Sequence, residues 1–295
     1  MSNKTFKQDL SNKEDPKIIF MVKLLFKEHA EIPEKNRMEK KLKEHLGNID
    51  LFWHDEKGAG VSAKDHICHF KDADVPPQFM IAACTEFDSS KIDDFHRSQF
   101  WDCNESDRIL SECKYQIIAT DMLAAALEPL ERANMDMDFL EALVELFPEC
   151  EALYFINSEK LYLADEIRMN IGKDDVPRNS RYIKYAVNVR FFNIEGTEGD
   201  MIVDTMGMST LFLPDLQYHY HDIDPNHVVY HAKCTASYIL DNNNPIKEGD
   251  PIDSINRDGN FDQKVMWKCS YESSLIQPVR EVIDICMNEY AAGQR

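Results

Sequence analysis

The feature that most restricts the fold of this chain is an apolar stripe that ends at a proline. Apolar residues recur three and four positions apart, which is the spacing of one face of an α-helix. They are Leu130, Ala133, Met137, Leu140, Val144 and Phe147, and Pro148 follows. Glu131, Asp138 and Glu145 recur every seven residues on roughly the opposite face. The pattern predicts a helix with one face in a core and an acidic face in solvent.

Short apolar runs bounded by turn residues predict β-strands over much of the remaining chain. Strands are expected within residues 17–26 and 114–120, and a long strand with a bulge within 181–194, where the alternation is broken. Asp224 followed by Pro225 predicts the start of another helix. Because helices and strands do not alternate regularly, we expect an α+β fold with mixed or mainly antiparallel sheets and packed helices.

The length of 295 residues allows two lobes or one large domain. Residues 1–15 are polar and of mixed charge, which predicts a disordered tail. The most linker-like interior segment, 173–180, is expected to separate an N-terminal α+β lobe (16–172) from a C-terminal α+β lobe (181–295).

The charge and cysteine content restrict the classes of function. Asp and Glu number 53 against 33 Lys and Arg, which gives a formal net charge of −20. Nucleic-acid backbones and anionic membranes are themselves negative and attract positively charged proteins. The sequence shows no apolar run long enough to span a membrane and no signal peptide. The eight cysteines form no CxxC pair and are expected to be reduced. We therefore expect a cytoplasmic protein with no direct contact to nucleic acid or membrane and, where the partner is a macromolecule, a basic one.

The acidic residues are concentrated in two segments. Residues 121–166 carry a net charge of −10, and residues 191–232 carry −7 with no Lys or Arg. One interpretation is a solvated surface that maintains solubility. The alternative is a surface that captures a basic partner. On the second interpretation, the candidate partner-binding residues are Glu131, Asp138, Glu141, Glu145, Asp222 and Asp224.

Four histidines form the candidate metal site. His219 and His221 are two apart on a predicted strand, and His227 and His231 are four apart on the predicted helix, so that each pair shares a face. Zinc sites use both spacings. The sequence predicts no cofactor, with zinc at these histidines as the alternative. The alternative is that the histidines face solvent or bond to neighbouring carboxylates.

Recognisable catalytic motifs are absent from the sequence. It contains no phosphate-binding glycine loop, no HExxH and no GxSxG. Cys68 lies between His66 and His69, but on one strand it shares a face with His66 alone and lacks an orienting third group. We therefore interpret the chain as a binding protein rather than an enzyme, with no catalytic residue assigned.

Several segments resemble a bacterial family of uncharacterised proteins, the domain of unknown function 4261. They are VPPQFMI, SQFWDC, DMLAAALEPLERA, NVRFFNIEGT, DTMGMSTLFLPDLQYHYHDIDPNHVVYHA, ASYILDNNNPI and VREVIDICMNEYAAG. The resemblance is expected to run from about Lys17 to Gly293. It implies a bacterial, cytoplasmic protein and carries no catalytic residue. By analogy, comparable uncharacterised families supply immunity proteins against secreted polymorphic toxins.

Three functions remain open. The first is an immunity protein, an antitoxin-type inhibitor that occludes a basic polymorphic toxin domain. The second is a metal-dependent hydrolase that uses His219, His221 and His231. The third is an adaptor unrelated to toxins, which composition alone does not distinguish from the first.

Overall fold

The computed structural model describes residues 5–7, 10, 11, 13, 15, 17–173 and 175–293. The chain divides into two compact units: the first is Lys17–Ala186, and the second runs from Val187 and includes the described residues before Lys17. Both contain helices packed on sheets, which confirms the α+β class. The predicted disordered tail lies partly outside the described residues.

An antiparallel sheet forms the centre of the first unit. The strands of this unit are β1 (Met21–Phe26), β2 (Ile49–Asp55), β3 (Gly58–Ala63), β4 (Cys68–His69), β5 (Asp74–Val75), β6 (Gln78–Ala82), β7 (Thr85–Glu86), β8 (Tyr115–Met122), β9 (Ala152–Phe155) and β10 (Lys160–Leu163). The order in the sheet is β10-β9-β1-β8-β6-β3-β2, with β7 also on β8, and β4 pairs with β5 separately.

The helices of the first unit cover the apolar side chains of this sheet. They are α1 (Lys35–Leu46), α2 (Asp94–Arg97), α3 (Ser106–Glu112), α4 (Pro129–Leu146), α5 (Ala164–Asn170) and α6 (Arg181–Tyr185). Phe139 of α4 stacks on Phe79 of β6, with ring centroids 4.0 Å apart. The helix predicted from the apolar stripe is α4 and is confirmed. On its predicted acidic face, Glu131 is exposed, whereas Asp138 and Glu145 are half-buried. Two further acids of α4, Asp136 and Glu141, are buried with the apolar residues.

A mixed sheet forms the second unit, in the order β11-β12-β13-β16-β15-β14. The strands are β11 (Asn188–Asn193), β12 (Met201–Met206), β13 (Asp215–Tyr220), β14 (Pro251–Ile255), β15 (Phe261–Ser273) and β16 (Glu281–Cys286). β13 and β16 are parallel and the other pairs are antiparallel. The long helix α7 (Pro225–Asp241) begins as predicted, with Asp224 accepting the N–H of Asn226 at 2.8 Å.

The predicted long strand over 181–194 is wrong in its first part. Residues 181–185 form α6, and the strand β11 begins only at Asn188. Tyr182, Ile183 and Tyr185 are all buried, which one turn of helix permits and strict strand alternation does not. In the segment 173–180, residues 178–180 form a 3₁₀ turn that leads into α6, and residue 174 lies outside the described residues. No helix in the described ranges is long and apolar enough to cross a membrane.

Candidate functional site

The acids of α4 that the sequence suggested as partner-binding residues are paired inside the first unit. Asp138 accepts hydrogen bonds from Arg178 at 2.5 Å and Arg181 at 2.7 Å. A second nitrogen of Arg181, Nη1, lies 2.9 Å from Oε1 of Glu141. Glu141 is only 8% exposed. These two carboxylates therefore add little open negative charge to the surface.

Glu145 and Glu131 are also partnered. The carboxylate Oε2 of Glu145 lies 2.6 Å from His45 Nε2 and 3.2 Å from Lys41 Nζ. Burial alone would raise the pKa of Glu145, but the hydrogen bonds from His45 and Lys41 hold that pKa below its usual value. Glu131 lies 2.6 Å from Nδ1 of His66. Basic side chains from distant parts of the sequence therefore compensate the negative charge on this side of α4.

The same compensation reaches other acids of residues 121–166. Glu151 lies 3.3 Å from Lys27 and 2.9 Å from Arg108. Neither base is within the acidic segment. Charge counted along a segment therefore overstates the negative surface that the folded chain presents.

An open groove of about 680 Å³ lies at the C-terminal end of α4. Its walls come from residues 26–34, from Arg37 and from the residues around the end of α4. Five glutamates line it, namely Glu28, Glu31, Glu34, Glu149 and Glu151. We call this feature the acidic groove.

Four of these glutamates are open to solvent. Glu28, Glu31, Glu34 and Glu149 are exposed, and none of them forms an ion pair with another described residue. The last turn of α4 contains no basic residue, but its carbonyl groups accept hydrogen bonds from Arg37 and Arg168. The negative charge that the groove presents to solvent is therefore that of the four glutamates, which pair with no described residue.

The lysine and the arginine that line the acidic groove, beside His29, are already engaged. Lys27 lies 2.9 Å from Glu112 and 3.3 Å from Glu151. Arg37 donates to the backbone carbonyl of Leu146 at 3.1 Å. Neither cation pairs with the exposed glutamates, so an external positive group would meet uncompensated carboxylates.

The four histidines of the candidate metal site belong to different environments. His219 lies on β13 and His231 on α7, and the alternation of β13 places His219 on the sheet face opposite Tyr218, which contacts His231. His221 bonds to Asp222 at 2.9 Å, and the His227 ring packs against Gly259. In the part of the chain that the structure describes, no three His, Cys, Asp or Glu side chains are grouped to hold a metal ion. The hydrolase hypothesis stays a prediction.

His231 is a buried aromatic residue of the second-unit core. Its Nε2 must donate to the Asp253 carbonyl at 2.8 Å, so Nδ1 accepts from the Tyr218 hydroxyl at 2.9 Å. The Trp267 ring lies 5.0 Å away between centroids. Burial lowers the pKa of His231 to about 4, so the ring is neutral at pH 7.

Replacing His231 with glutamine should reduce the loss in the free energy of unfolding that accompanies a fall in pH below 7. A histidine whose pKa is lower in the folded state costs stability as pH falls from its unfolded value toward about 4. We expect the wild type to lose about 2 kcal/mol from this group between pH 7 and pH 5. Glutamine can make both hydrogen bonds without titrating. Urea unfolding at the two pH values measures the difference, and an equal loss in H231Q would contradict the assignment.

A row of buried charges crosses one face of the second-unit sheet. Arg190 of β11 makes a bidentate pair with Asp204 of β12, at 2.9 and 2.6 Å. Arg280 bridges Asp204 at 3.0 Å and Asp215 at 3.1 Å. Two arginines thus face two aspartates, all at most 9% exposed. The row also holds the loop before β16, because Arg190 donates to the Gln277 carbonyl at 3.1 Å.

Polar contacts continue along β13 on the same face. Gln217 accepts the Leu275 N–H at 2.6 Å and donates to Asp284 of β16 at 3.2 Å. His219 Nε2 lies 3.3 Å from Asp284, and Nδ1 donates to the Ala292 carbonyl at 2.6 Å. These groups hold the β15–β16 connection and the segment after β16 against the sheet.

Sequence reasoning missed this polar face. Asp204 and Asp215 were counted as part of an acidic surface, whereas both are buried and paired. The signal available was the period of two in Asp215, Gln217 and His219, which places three polar side chains on one strand face. Of the other candidate acids of this unit, Asp222 bonds to His221, and Asp224 caps α7.

Cys68 is a buried thiol of the first unit. Burial raises its pKa, which disfavours the reactive thiolate. His66 bonds to Glu131, and His69 bonds to Asp74 at 2.8 Å. The flanking histidines therefore have carboxylate partners of their own.

One family model matches part of the chain. Residues 204–286 match a domain of unknown function, DUF4261. The match supports the resemblance over this segment of the second unit, and not over nearly the full length as the sequence predicted. The segment contains Asp204, Asp215, Gln217, Arg280 and Asp284. No curated protein and no solved structure matched the chain.

Proposed function

We propose that this protein binds a basic protein partner in the bacterial cytoplasm, and that the partner inserts Lys or Arg side chains into the acidic groove. The observation that supports this function is the set of four exposed, unpaired glutamates around an open groove. An incoming cation there gains charge-assisted hydrogen bonds without displacing an internal partner. The surrounding net charge of −20 accelerates the encounter and makes it sensitive to salt.

In its most concrete form, this is an immunity function. The partner is a polymorphic toxin domain whose basic surface the bound protein occludes. The support is the combination of acidic charge and an open acidic surface, and nothing in it specifies the partner's activity. The α4 acids Glu131, Asp138, Glu141 and Glu145, and with them Asp222 and Asp224, stay predictions as contact residues.

The partner is identified first by a tagged pull-down from the native host at low and moderate salt, read by mass spectrometry. We expect one stoichiometric basic protein whose recovery falls as salt rises. Expressing that protein alone in a foreign host, and then together with this chain, separates the two forms of the proposal. Growth arrest that is relieved by co-expression supports the immunity function. A partner that does not impair growth favours the adaptor function instead.

Charge reversal locates the interface. We expect the triple variant E28K/E31K/E149K to slow association with the captured partner by about tenfold or more at low salt. The matched control E195K/E198K/E281K changes the net charge equally at exposed glutamates of the second unit. Equal slowing in both variants would show that the net charge acts without the groove. An unchanged rate in the first variant would place the interface elsewhere.

A further inference from the structure

Three ionisable side chains are buried together in the first unit. Asp121 lies at the end of β8, and Arg132 and Asp136 are one turn apart on α4. Their exposed fractions are 1%, 2% and 0%. Neither the apolar stripe nor the acidic groove involves this cluster, which we call the buried triad.

Arg132 is committed to Asp121. Its Nε and Nη2 lie 2.8 and 2.6 Å from Oδ2 of Asp121, while Asp136 Oδ2 is 3.9 Å from Nε. Neither carboxylate oxygen of Asp136 has a hydrogen-bond partner among the described residues. One cation thus faces two acids, and only one of the acids is hydrogen-bonded to it.

The triad also fastens the segment that enters β1. Asp121 Oδ1 accepts the N–H of Phe20 at 2.8 Å, and Arg132 Nη2 donates to the Ile18 carbonyl at 2.7 Å. The position of this segment therefore depends on how Arg132 is shared between its two acids. We call the contacts of Phe20 and Ile18 with the triad the latch.

Charge balance determines the protonation of Asp136. A second ionised carboxylate in this buried site would be uncompensated, and a buried group without a partner neutralises rather than remaining charged. Burial, followed by the neighbouring charge of Asp121, raises the pKa of Asp136 well above its usual value, against the opposing effect of Arg132. Other titratable groups near the arginine are Tyr182 of α6 and the buried thiol of Cys68, which also interacts with the charges of Arg132 and Asp121.

We propose that Asp136 is the proton-controlled element of this latch. With its proton, Asp136 is neutral and Arg132 serves Asp121 and the Ile18 carbonyl. When Asp136 gives that proton to solvent at higher pH, the new carboxylate competes for Arg132 and repels Asp121. The contacts that hold Ile18 and Phe20 then loosen.

Hydrogen exchange of the Phe20 amide, measured by NMR between about pH 5 and pH 9, tests the latch. We expect its protection factor in the wild type to fall about tenfold or more as pH rises. In D136N, which keeps the shape without the titration, the protection factor should stay constant within about twofold. The matched control D138N alters a carboxylate of α4 that pairs outside the triad, and should follow the wild type.

Either of two results would overturn the proposal: a constant protection factor in the wild type, or full pH dependence retained in D136N. If D136N does not fold, the side-chain carboxyl ¹³C resonance of Asp136 in the wild type gives the protonation state directly. Titration of that resonance together with the loss of Phe20 protection supports the latch. A carboxylate already ionised at about pH 5 refutes it.

Discussion

Replacement of Arg280 with methionine is expected to lower the free energy of unfolding by about 3–5 kcal/mol. Arg280 pairs with both Asp204 and Asp215, and these carboxylates are at most 1% exposed. It also donates to the Thr205 carbonyl at 2.6 Å. Methionine keeps an unbranched apolar stem but leaves Asp215 without its cation. Urea unfolding, with hydrogen exchange by mass spectrometry to assign the loss to the second unit, measures the effect.

The pH dependence of R280M distinguishes lost charge pairing from lost packing. Burial raises the pKa of Asp215, against the opposing charge of Arg280, and removing the arginine should raise that pKa further. The variant should therefore be less impaired at acidic pH, where Asp215 takes up a proton, and more impaired as pH rises. R257M, at an exposed position, should cost at most about 1 kcal/mol. A pH-independent loss in R280M would point to packing.

The sequence predicts elements well where one local pattern decides the outcome. The spacing of Leu130, Ala133 and Met137 identifies α4, because that face must be buried whatever it contacts. Asp224 and Pro225 mark the start of α7 because capping depends on residues within one turn. These predictions needed no knowledge of other segments.

Long-range partners explain the predictions that failed or remained open. The sequence pattern placed Asp138 in solvent because its partners, Arg178 and Arg181, are about 40 residues away along the chain. The helical turn at Tyr182 and Ile183 was predicted as a strand because tertiary packing, rather than the local strand propensity of these residues, selects the helix there. The acidic groove joins residues near position 30 to residues near 149, a proximity that no linear pattern carries.

Replacement of Arg132 with methionine is expected to cost about 3–5 kcal/mol in the first unit, because Asp121 loses the cation that compensates it in a site 1% exposed. The contrast is R178M, whose arginine side chain is 63% exposed and pairs with Asp138, and which should cost at most about 1 kcal/mol. Urea unfolding at pH 7 measures both variants. A loss of similar size in the two would mean that burial does not govern these pairs.

The variant R132M also separates the charge of the buried triad from its shape. Adding D121N and D136N to R132M removes both carboxyl groups that the missing arginine faced, so the triple variant should recover part of the lost stability. Recovery from D121N alone would mean that Asp136 is neutral in the R132M background, which the latch also predicts, because removing the arginine disfavours the charge of Asp136 further. Recovery that needs D136N would mean that Asp136 carried charge beside Arg132 in the wild type. The comparison of the single, double and triple variants therefore tests which of the two acids the arginine compensates.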